Sequence, residues 1–277
     1  MLYFLVRKVN SLKTALRRAY NPLVKRGDLV IDIGSGGMPY PRASVACDYY
    51  ENDFERADLL KIDRPFVWAS VEALPFADKT FDFSIFSHVL EHLNEPAKSL
   101  DEVGRVAKAG YIETPNAFYE YIIPHIYHMS RCTVIDGVLN ITMKKKWDES
   151  LTEEFKDVKT DMMAGWHIIN SYDSKSLLTQ YPWKDKINYQ INGTVGFVKP
   201  IDSIVHEGTQ RSVWKQALKN LAYVFLRPKK INLVQLLRCP ICKDELSYNQ
   251  DQSQAKCEKC QKSFKKHKGY WDFRMLE

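Results

Sequence analysis

An apolar run that ends in a carboxylate and three glycines constrains the fold of this chain more than any other feature. Residues 29–37 read Leu-Val-Ile-Asp-Ile-Gly-Ser-Gly-Gly. A continuous β-branched run suits a strand that is buried on both faces of a sheet. Glycines directly after such a strand let the backbone approach a ligand that a Cβ would keep out. The segment therefore predicts a nucleotide-cofactor pocket at the end of a first strand.

The pattern of the following residues predicts an α/β domain. It indicates a helix over residues 95–107 and strands over residues 28–33, 44–48, 65–69, 81–86 and 109–114. Alternation of strands with helices is typical of a largely parallel sheet.

An insertion after the fifth strand, residues 117–165, is rich in aromatic residues and histidines. We expect it to close over a substrate, and Asp136-Gly137 predicts a hairpin within it. Residues 172–180 have a helical pattern. Alternation around Asn192-Gly193 predicts a second hairpin that finishes the sheet with an antiparallel pair.

Length and composition limit the class of protein. The 277 residues suffice for one α/β domain and a small appended module. The formal net charge of +6 names no substrate, because the basic residues are scattered among nearly as many acidic ones. No run approaches the roughly 20 apolar residues of a spanning helix, and the start of the chain lacks a signal-peptide pattern. We therefore expect a cytoplasmic protein.

The two ends of the chain differ in pattern from its middle. Residues 1–22 predict an amphipathic helix with a basic face. It could contact an anionic membrane surface peripherally, although we favour packing on the sheet domain. The predicted organisation is this N-terminal helix, a domain over residues 23–208, a helix and linker over 209–232, and a terminal module over 233–277.

Four cysteines of the terminal module form two C-x-x-C pairs separated by fourteen residues: Cys239, Cys242, Cys257 and Cys260. This spacing is typical of four-cysteine zinc sites. A module of this size has too small a core to fold without such a metal. We expect these thiolates to bind one structural Zn²⁺, with a reduced, metal-free thiol cluster as the alternative. His267 is not expected to be a ligand.

Four ordered motifs lie within residues 28–116: V-I-D-I-G-S-G-G, V-E-A-L-P-F-A-D-K-T-F-D-F, S-H-V-L-E-H-L and G-Y-I-E-T-P-N. Together they resemble the class I S-adenosylmethionine-dependent methyltransferases, in particular the small-molecule branch. The resemblance implies an α/β fold with a Rossmann-like, seven-stranded, mostly parallel sheet. It also implies a cofactor site where the loops after the first and fourth strands meet.

The resemblance further implies which residues bind S-adenosylmethionine. Asp32, Gly34 and Gly36 would shape the pocket for the methionine part and the ribose. Asp48 would accept hydrogen bonds from both ribose hydroxyls, which the two oxygens of a carboxylate suit. The other implied cofactor contacts are Val71 and Glu72, which flank the adenine, and Ser87.

Ser87 and His88 would face the transferred methyl group, and His88 is the implied catalytic residue. A packed, hydrogen-bonded ring is the alternative role for His88. If the acceptor must lose a proton, a histidine that titrates near neutrality could accept it. The candidates for this base, in order, are His88, His128 and His167.

Some residues depart from the family pattern or suggest another one. Met38 stands where a third glycine is common, and Ser70 stands where an aspartate often contacts the adenine amino group. A pocket that no longer binds the cofactor is therefore an alternative. Residues 88–92 also spell H-x-x-E-H, a pattern of zinc peptidases. Those enzymes need a sustained helix, whereas a short turn is predicted here.

The terminal module supports two further alternatives. Residues 233–275 resemble the zinc ribbon of the small activator protein that partners several tRNA and protein methyltransferases. We expect a small-molecule, lipid-linked or glycan-linked acceptor. An RNA or protein methyltransferase is the first alternative, and a non-catalytic adaptor that holds a partner protein is the second. In the first alternative the substrate would bind the module through Lys262, Lys265, Lys266 and Lys268.

Overall fold

The computed structural model describes residues 21–51, 59–122, 125, 127–145, 177–194 and 231–274. The α-helices within these residues are α1 (Pro96–Val106), α2 (Ala117–Ile122) and α3 (Leu233–Leu236). The strands are β1 (Val30–Ile33), β2 (Val45–Asp48), β3 (Phe66–Trp68), β4 (Phe83–Ser87), β5 (Ala109–Pro115), β6 (Ser130–Ile135), β7 (Val138–Met143), β8 (Leu178–Lys184), β9 (Tyr189–Asn192), β10 (Ser247–Tyr248), β11 (Gln254–Lys256), β12 (Ser263–His267) and β13 (Tyr270–Asp272).

Five parallel strands form the centre of the main sheet in the order β3-β2-β1-β4-β5. The sequence predicted all five, and the helix α1, to within two residues at each end. β1 and β2 are buried along their whole length, as expected of strands covered on both faces. The buried stripe of α1, formed by Leu100, Val103 and Val106, packs into the main apolar core.

The main sheet is not the seven-stranded, mostly parallel sheet that the resemblance implied. Within the described residues it has ten strands, in the order β10-β11-β12-β13-β3-β2-β1-β4-β5-β8. β8 pairs antiparallel with β5 at one edge. The four short strands of the terminal module extend the other edge, because β13 pairs parallel with β3. The expectation was wrong because it treated the module as separate from the sheet.

The prediction of a helix over residues 172–180 is wrong where the structure describes that segment. Leu178–Lys184 is a strand whose inward side chains, Thr179, Tyr181 and Trp183, alternate with exposed or half-buried neighbours. This period of two suits the sheet edge beside β5. The tertiary position beside β5 therefore overrides the local helical pattern.

A second sheet has three strands in the order β6-β7-β9. β6 and β7 belong to the insertion, and β9 follows it in the chain. The predicted hairpin at Asp136-Gly137 is confirmed, since both residues have positive φ, +50° and +76°, as a two-residue type I′ turn requires. β9 ends at Asn192, but it pairs parallel with β7 in this sheet. It does not finish the main sheet as an antiparallel pair. The remainder of the hairpin predicted around Asn192-Gly193 lies outside the described residues.

The terminal module shares one apolar core with the central domain. Leu237, Phe264, Trp271 and Phe273 are buried in the same cluster as Phe76 and the central strands. The Phe273 N–H donates to the Trp68 carbonyl at 2.8 Å. The module is therefore packed on the edge of the main sheet.

Other predictions fall on residues that the structure does not describe. These are the N-terminal helix up to residue 20, most of the helix and linker over 209–232, the later part of the insertion, and His167. Among the described residues, no helix has both the length and the apolar character needed to span a bilayer.

Candidate cofactor and acceptor site

The carboxyl ends of β2, β1 and β4 lie side by side because these parallel strands are neighbours in the sheet. Strand order reverses between β1 and β4, since the chain proceeds outward to β3 on one side and to β5 on the other. Ligands of open α/β sheets bind at such a switch point. The residues that the sequence predicts for cofactor binding lie near the ends of these strands, at Asp32, Gly34, Gly36, Asp48 and Ser87, or in the turn after β3, at Val71 and Glu72.

The turn after β1 is held by a buried carboxylate and a glycine. Asp32 accepts a hydrogen bond from the Tyr40 N–H at 2.5 Å. Burial raises the pKa of Asp32 to about 6, although this hydrogen bond and the charge of Arg64 act in the opposite direction. Gly34 has a φ of +71°, and a Cβ there would lie 2.3 Å from the Val89 side chain. Only glycine therefore fits this turn without displacing the loop after β4.

The loops after β1 and β2 are joined through Asp48. This buried carboxylate accepts hydrogen bonds from the Gly36 N–H at 2.9 Å and from the Tyr50 N–H at 3.2 Å. Each carboxylate oxygen has further acceptor capacity for a ligand hydroxyl. The Ser35 hydroxyl, in the turn before Gly36, is buried and has no hydrogen-bond partner among the described residues. The edge thus contains both acceptor and donor groups.

The loop after β3 forms a 3₁₀ turn over Val71–Ala73. Ser70 caps this turn, because its hydroxyl oxygen accepts a hydrogen bond from the Glu72 N–H at 3.2 Å. Val71 is buried, and the Glu72 carboxylate lies 3.4 Å from Lys98 Nζ. Ser70, where the resemblance implies an aspartate, therefore has a local structural role.

His88 follows Ser87 at the end of β4 in a strained backbone conformation. Its φ is +56°, in the left-handed region that costs most non-glycine residues free energy. Its N–H donates to the Glu113 carbonyl at 2.7 Å. The imidazole is 36% exposed, with Nδ1 at 3.4 Å from Glu91 Oε1 and Nε2 at 3.7 Å from Glu113 Oε1. Such strain is concentrated at functional sites.

The two carboxylates determine the protonation of His88. Burial lowers the pKa of the imidazole, but the nearby carboxylates of Glu113 and Glu91 outweigh burial and raise it to about 9. Burial raises the pKa of Glu91, whereas His88, His92 and His128 lower it to about 2. Both carboxylates thus favour the imidazolium form of His88. The role of His88 as a base stays a prediction, and in the imidazolium form the ring would act as a hydrogen-bond donor.

The structure brings together a histidine–carboxylate cluster that the sequence did not predict, formed by Glu91, His92, Glu120, His125 and His128. The ring centroids of His92 and His128 are 4.6 Å apart, and those of His125 and His128 are 4.4 Å apart with nearly parallel planes. The 3₁₀ turn after β4 supplies Glu91 and His92, and the insertion supplies the other three. The cluster therefore lies beside His88.

A buried ion-pair network supports one side of this cluster. Glu120 has no measurable exposure and makes a short hydrogen bond with Nδ1 of His128. Lys144 Nζ lies 2.7 Å from the same carboxylate and donates to the His125 carbonyl at 3.1 Å. The sequence contained one signal for this cluster, the E-H pair within H-x-x-E-H. The positions of Glu120 and His128 depend on the fold of the insertion.

The four cysteines of the terminal module converge on one point. The Sγ atoms of Cys239 and Cys260 are 3.5 Å apart, and those of Cys242 and Cys257 are 3.3 Å apart. All four sulfurs lie within 4.8 Å of one another. A disulfide needs about 2.05 Å, whereas two thiolates on one tetrahedral Zn²⁺ are about 3.8 Å apart. The set can therefore hold a tetrahedral metal ion.

The part of the chain that holds the central strands is similar to a known protein family. Residues 32–112, from the end of β1 into β5, match the family model described as a methyltransferase domain. Residues 32–112 are thus similar to a methyltransferase domain. This match supports the resemblance of the motifs to S-adenosylmethionine-dependent methyltransferases.

Relatives of the methyltransferase domain cover different shares of the chain. A demethylmenaquinone methyltransferase of Paenarthrobacter aurescens is 36% identical over 31% of this chain. The chain spans only 37% of the length of that relative. An uncharacterized protein of Methanocaldococcus jannaschii is 26% identical over 75% of this chain and 78% of its own length.

Among solved structures, a Haloferax volcanii complex of the Trm112 methyltransferase activator has a chain similar to this one. The sequence identity is 22%, the TM-score is 0.33, and the match covers 45% of this chain and 62% of that chain. A TM-score of this size supports no functional argument.

Proposed function

We propose that this chain is an S-adenosylmethionine-dependent methyltransferase that methylates an oxygen or nitrogen atom of a small-molecule, lipid-linked or glycan-linked acceptor. One observation carries the proposal: the loops after β1, β2 and β4 converge on one edge of the sheet, within the residues that match the methyltransferase family. The residues implied for cofactor binding all lie on that edge or on the adjacent turn after β3.

The polar groups of this edge fit the proposed cofactor. Asp48 would accept hydrogen bonds from the ribose hydroxyls, and the unpartnered Ser35 hydroxyl offers a donor. Gly34 and Gly36, with φ of +71° and +53°, leave the backbone open to a ligand. Val71 and Glu72 would flank the adenine from the turn after β3.

The chemistry asks little of the protein beyond alignment. S-adenosylmethionine, when bound, supplies a methyl group on a sulfonium, which is an already activated leaving group. The side chains then need to orient the acceptor and exclude water. His88 would do the first, because an imidazolium N–H can donate to an acceptor oxygen and favours the deprotonated acceptor.

The start of the insertion supports an acceptor with an apolar or ring-bearing body. Phe118 and Tyr121 on α2 are 60% and 68% exposed, directly after β5. The Arg131 guanidinium lies over the Tyr121 ring at 4.4 Å. Exposed aromatic side chains next to a site are typical ligand-binding groups. A small-molecule acceptor also agrees with the name of one relative, demethylmenaquinone methyltransferase.

An RNA or protein acceptor has weaker support. The lysines that would form its binding surface are Lys262, Lys265, Lys266 and Lys268. Two of them already interact within the chain, since Lys268 pairs with Glu51 and Lys266 lies 5.0 Å from the centre of the Trp271 ring. The adaptor alternative predicts no affinity for the cofactor at all.

We further propose that Cys239, Cys242, Cys257 and Cys260 bind one structural Zn²⁺. All four ligands come from the protein, so no coordination position remains for chemistry. The ion would hold the two turns that frame β10 to β13, and through β13 it would stabilise the edge of the main sheet. Native mass spectrometry should show one zinc per chain, and a chain without zinc after reducing purification would contradict this.

Methyl-labelled S-adenosylmethionine offered with separate acceptor pools tests the proposed function. The pools are hydroxylated aromatic and quinol compounds, lipids and glycans, and RNA and protein. We expect transfer to the first or second pool, and Asp48→Ala should remove it while the exposed Asp251→Ala should not. Transfer to RNA or protein alone would support the alternative acceptor. Cofactor binding without transfer to any pool would contradict the proposal.

A further inference from the structure

The histidine–carboxylate cluster contains a potential metal-ligand set outside the cysteines. Glu91, His92 and His128 each offer one ligand atom, and these atoms lie within 4.8 Å of one another. Two imidazoles and one carboxylate are ligands that divalent transition metals share. Three ligands leave coordination positions for water or another oxygen, unlike the four cysteines.

Glu91 supports this interpretation independently of the distances. The side chain is 2% exposed, yet neither carboxylate oxygen accepts a hydrogen bond from the described residues. The nearby cation, His88 Nδ1, is 3.4 Å from Oε1, an ion pair without hydrogen-bond geometry. A buried carboxylate is costly unless it is paired and hydrogen-bonded or coordinates a metal. The carboxylate therefore lacks the hydrogen bonds that its burial requires.

His128 has the support that a metal-bound histidine has. Nδ1 bonds to the buried Glu120 carboxylate, and Lys144 fixes that carboxylate from the other side. A carboxylate on one ring nitrogen sets the tautomer and orients the other nitrogen toward a metal. Nε2 is thus the nitrogen of His128 that remains for a ligand bond.

We propose that Glu91, His92 and His128 bind a divalent transition-metal ion. The site differs from the H-x-x-E-H site of zinc peptidases, because Leu90–His92 is a single 3₁₀ turn and His88 lies before it with a φ of +56°. The third ligand comes instead from the insertion. The ion lies next to the end of β4, where its open positions can hold an acceptor oxygen. That role rests on the proposed methyltransferase function, whereas the binding itself does not.

Cobalt titration of the full chain, purified with zinc in place, tests the site. Co²⁺ bound to nitrogen and oxygen ligands gives visible d–d bands, whereas thiolate ligands add charge-transfer bands that would reveal exchange at the cysteines. We expect one equivalent of Co²⁺ without charge-transfer bands. Absence of that equivalent at millimolar Co²⁺ would overturn the proposal, and so would binding only with charge-transfer bands.

Two substitutions and one control locate the ion. Glu91→Gln keeps the shape of the side chain and should weaken Co²⁺ binding about 100-fold or more, and Glu120→Gln should weaken it about 10- to 100-fold. The exposed Glu95→Gln should leave it unchanged. Equal affinity in the wild type and Glu91→Gln would overturn the proposal.

A stability readout guards against misfolding. Without metal, Glu91→Gln should still fold, as measured by circular dichroism, although it removes the carboxylate charge that pairs with His88. Co²⁺ should raise the melting temperature of the wild type and not that of Glu91→Gln. S-adenosylmethionine binding is measured separately, so failure of the metal site and failure of the proposed function are distinguishable.

Discussion

Two regions of the molecule differ in how their polar groups are hydrogen-bonded. One is the junction between the terminal module and the sheet, and the other is the carboxyl edge of the central strands. At the junction, Glu102 accepts hydrogen bonds from the Leu74 N–H at 2.9 Å, from Arg105 Nε at 2.6 Å and from Lys243 Nζ at 2.9 Å. At the carboxyl edge, Glu91 accepts none from the described residues, and His88 has a positive φ.

The two regions therefore have different roles within one sheet: the junction contributes stability, and the carboxyl edge is adapted to ligand binding. Paired groups at the junction fix the module on β3 and α1. At the carboxyl edge, the buried charge of Asp32 and the strained backbone of His88 lower stability, and both lie where a ligand can bind. Substitutions at the junction should therefore destabilise the chain. Asp32→Asn at the carboxyl edge should stabilise it while weakening ligand binding.

The largest expected effect is at the cysteines. Replacing Cys239 and Cys257 with serine should remove the metal and unfold the module, because a module this small has little apolar core of its own to replace the ion. We expect the free energy of unfolding to fall by about 5 kcal/mol or more, measured by urea denaturation. Lys259→Ala, between two of the cysteines, is the control and should change little. An unchanged transition in the double variant would show that the module stands without metal.

Asp32→Asn should raise the free energy of unfolding, whereas the cysteine substitutions lower it. The pKa of Asp32 is about 6 in the folded chain and 3.8 when unfolded, so its burial costs nothing below about pH 4 and its full amount above pH 6. We expect the variant to be about 3 kcal/mol more stable at pH 7.5 and about half of that at pH 5. Urea unfolding at both pH values measures this. A variant that is less stable at pH 7.5 would break the comparison.

A smaller effect is expected at Glu102. Glu102→Gln removes the charge that pairs with Arg105 and Lys243, so it should cost about 1–2 kcal/mol of unfolding free energy. Glu95→Gln on the same helix is the matched control, because the Glu95 side chain makes no capping hydrogen bond. Equal stability of the two variants would mean that the junction does not depend on this carboxylate.

The parts predictable from the sequence are those set by local patterns. The central strands follow from apolar runs, the type I′ hairpin from Asp136-Gly137, and the cysteine cluster from its spacing. Each of these features is set by residues that are close together in the sequence, so it can be predicted without knowing the tertiary contacts.

The rest depends on contacts between distant residues. The pairing of β13 with β3 joins Trp271 to Val67, about 200 positions apart, and no local signal encodes it. Leu178–Lys184 is a strand because β5 is beside it. The histidine–carboxylate cluster likewise needs the insertion to place His128 next to Glu91.

Calorimetric titration with S-adenosylmethionine tests the central claim most directly, namely that the carboxyl edge is a cofactor site. We expect binding at micromolar concentration with a stoichiometry of one. Asp48→Ala should reduce the affinity about 100-fold or more, because it removes the carboxylate that would accept hydrogen bonds from both ribose hydroxyls. Absence of heat from a folded, zinc-containing chain would contradict the account, as would equal binding by Asp48→Ala.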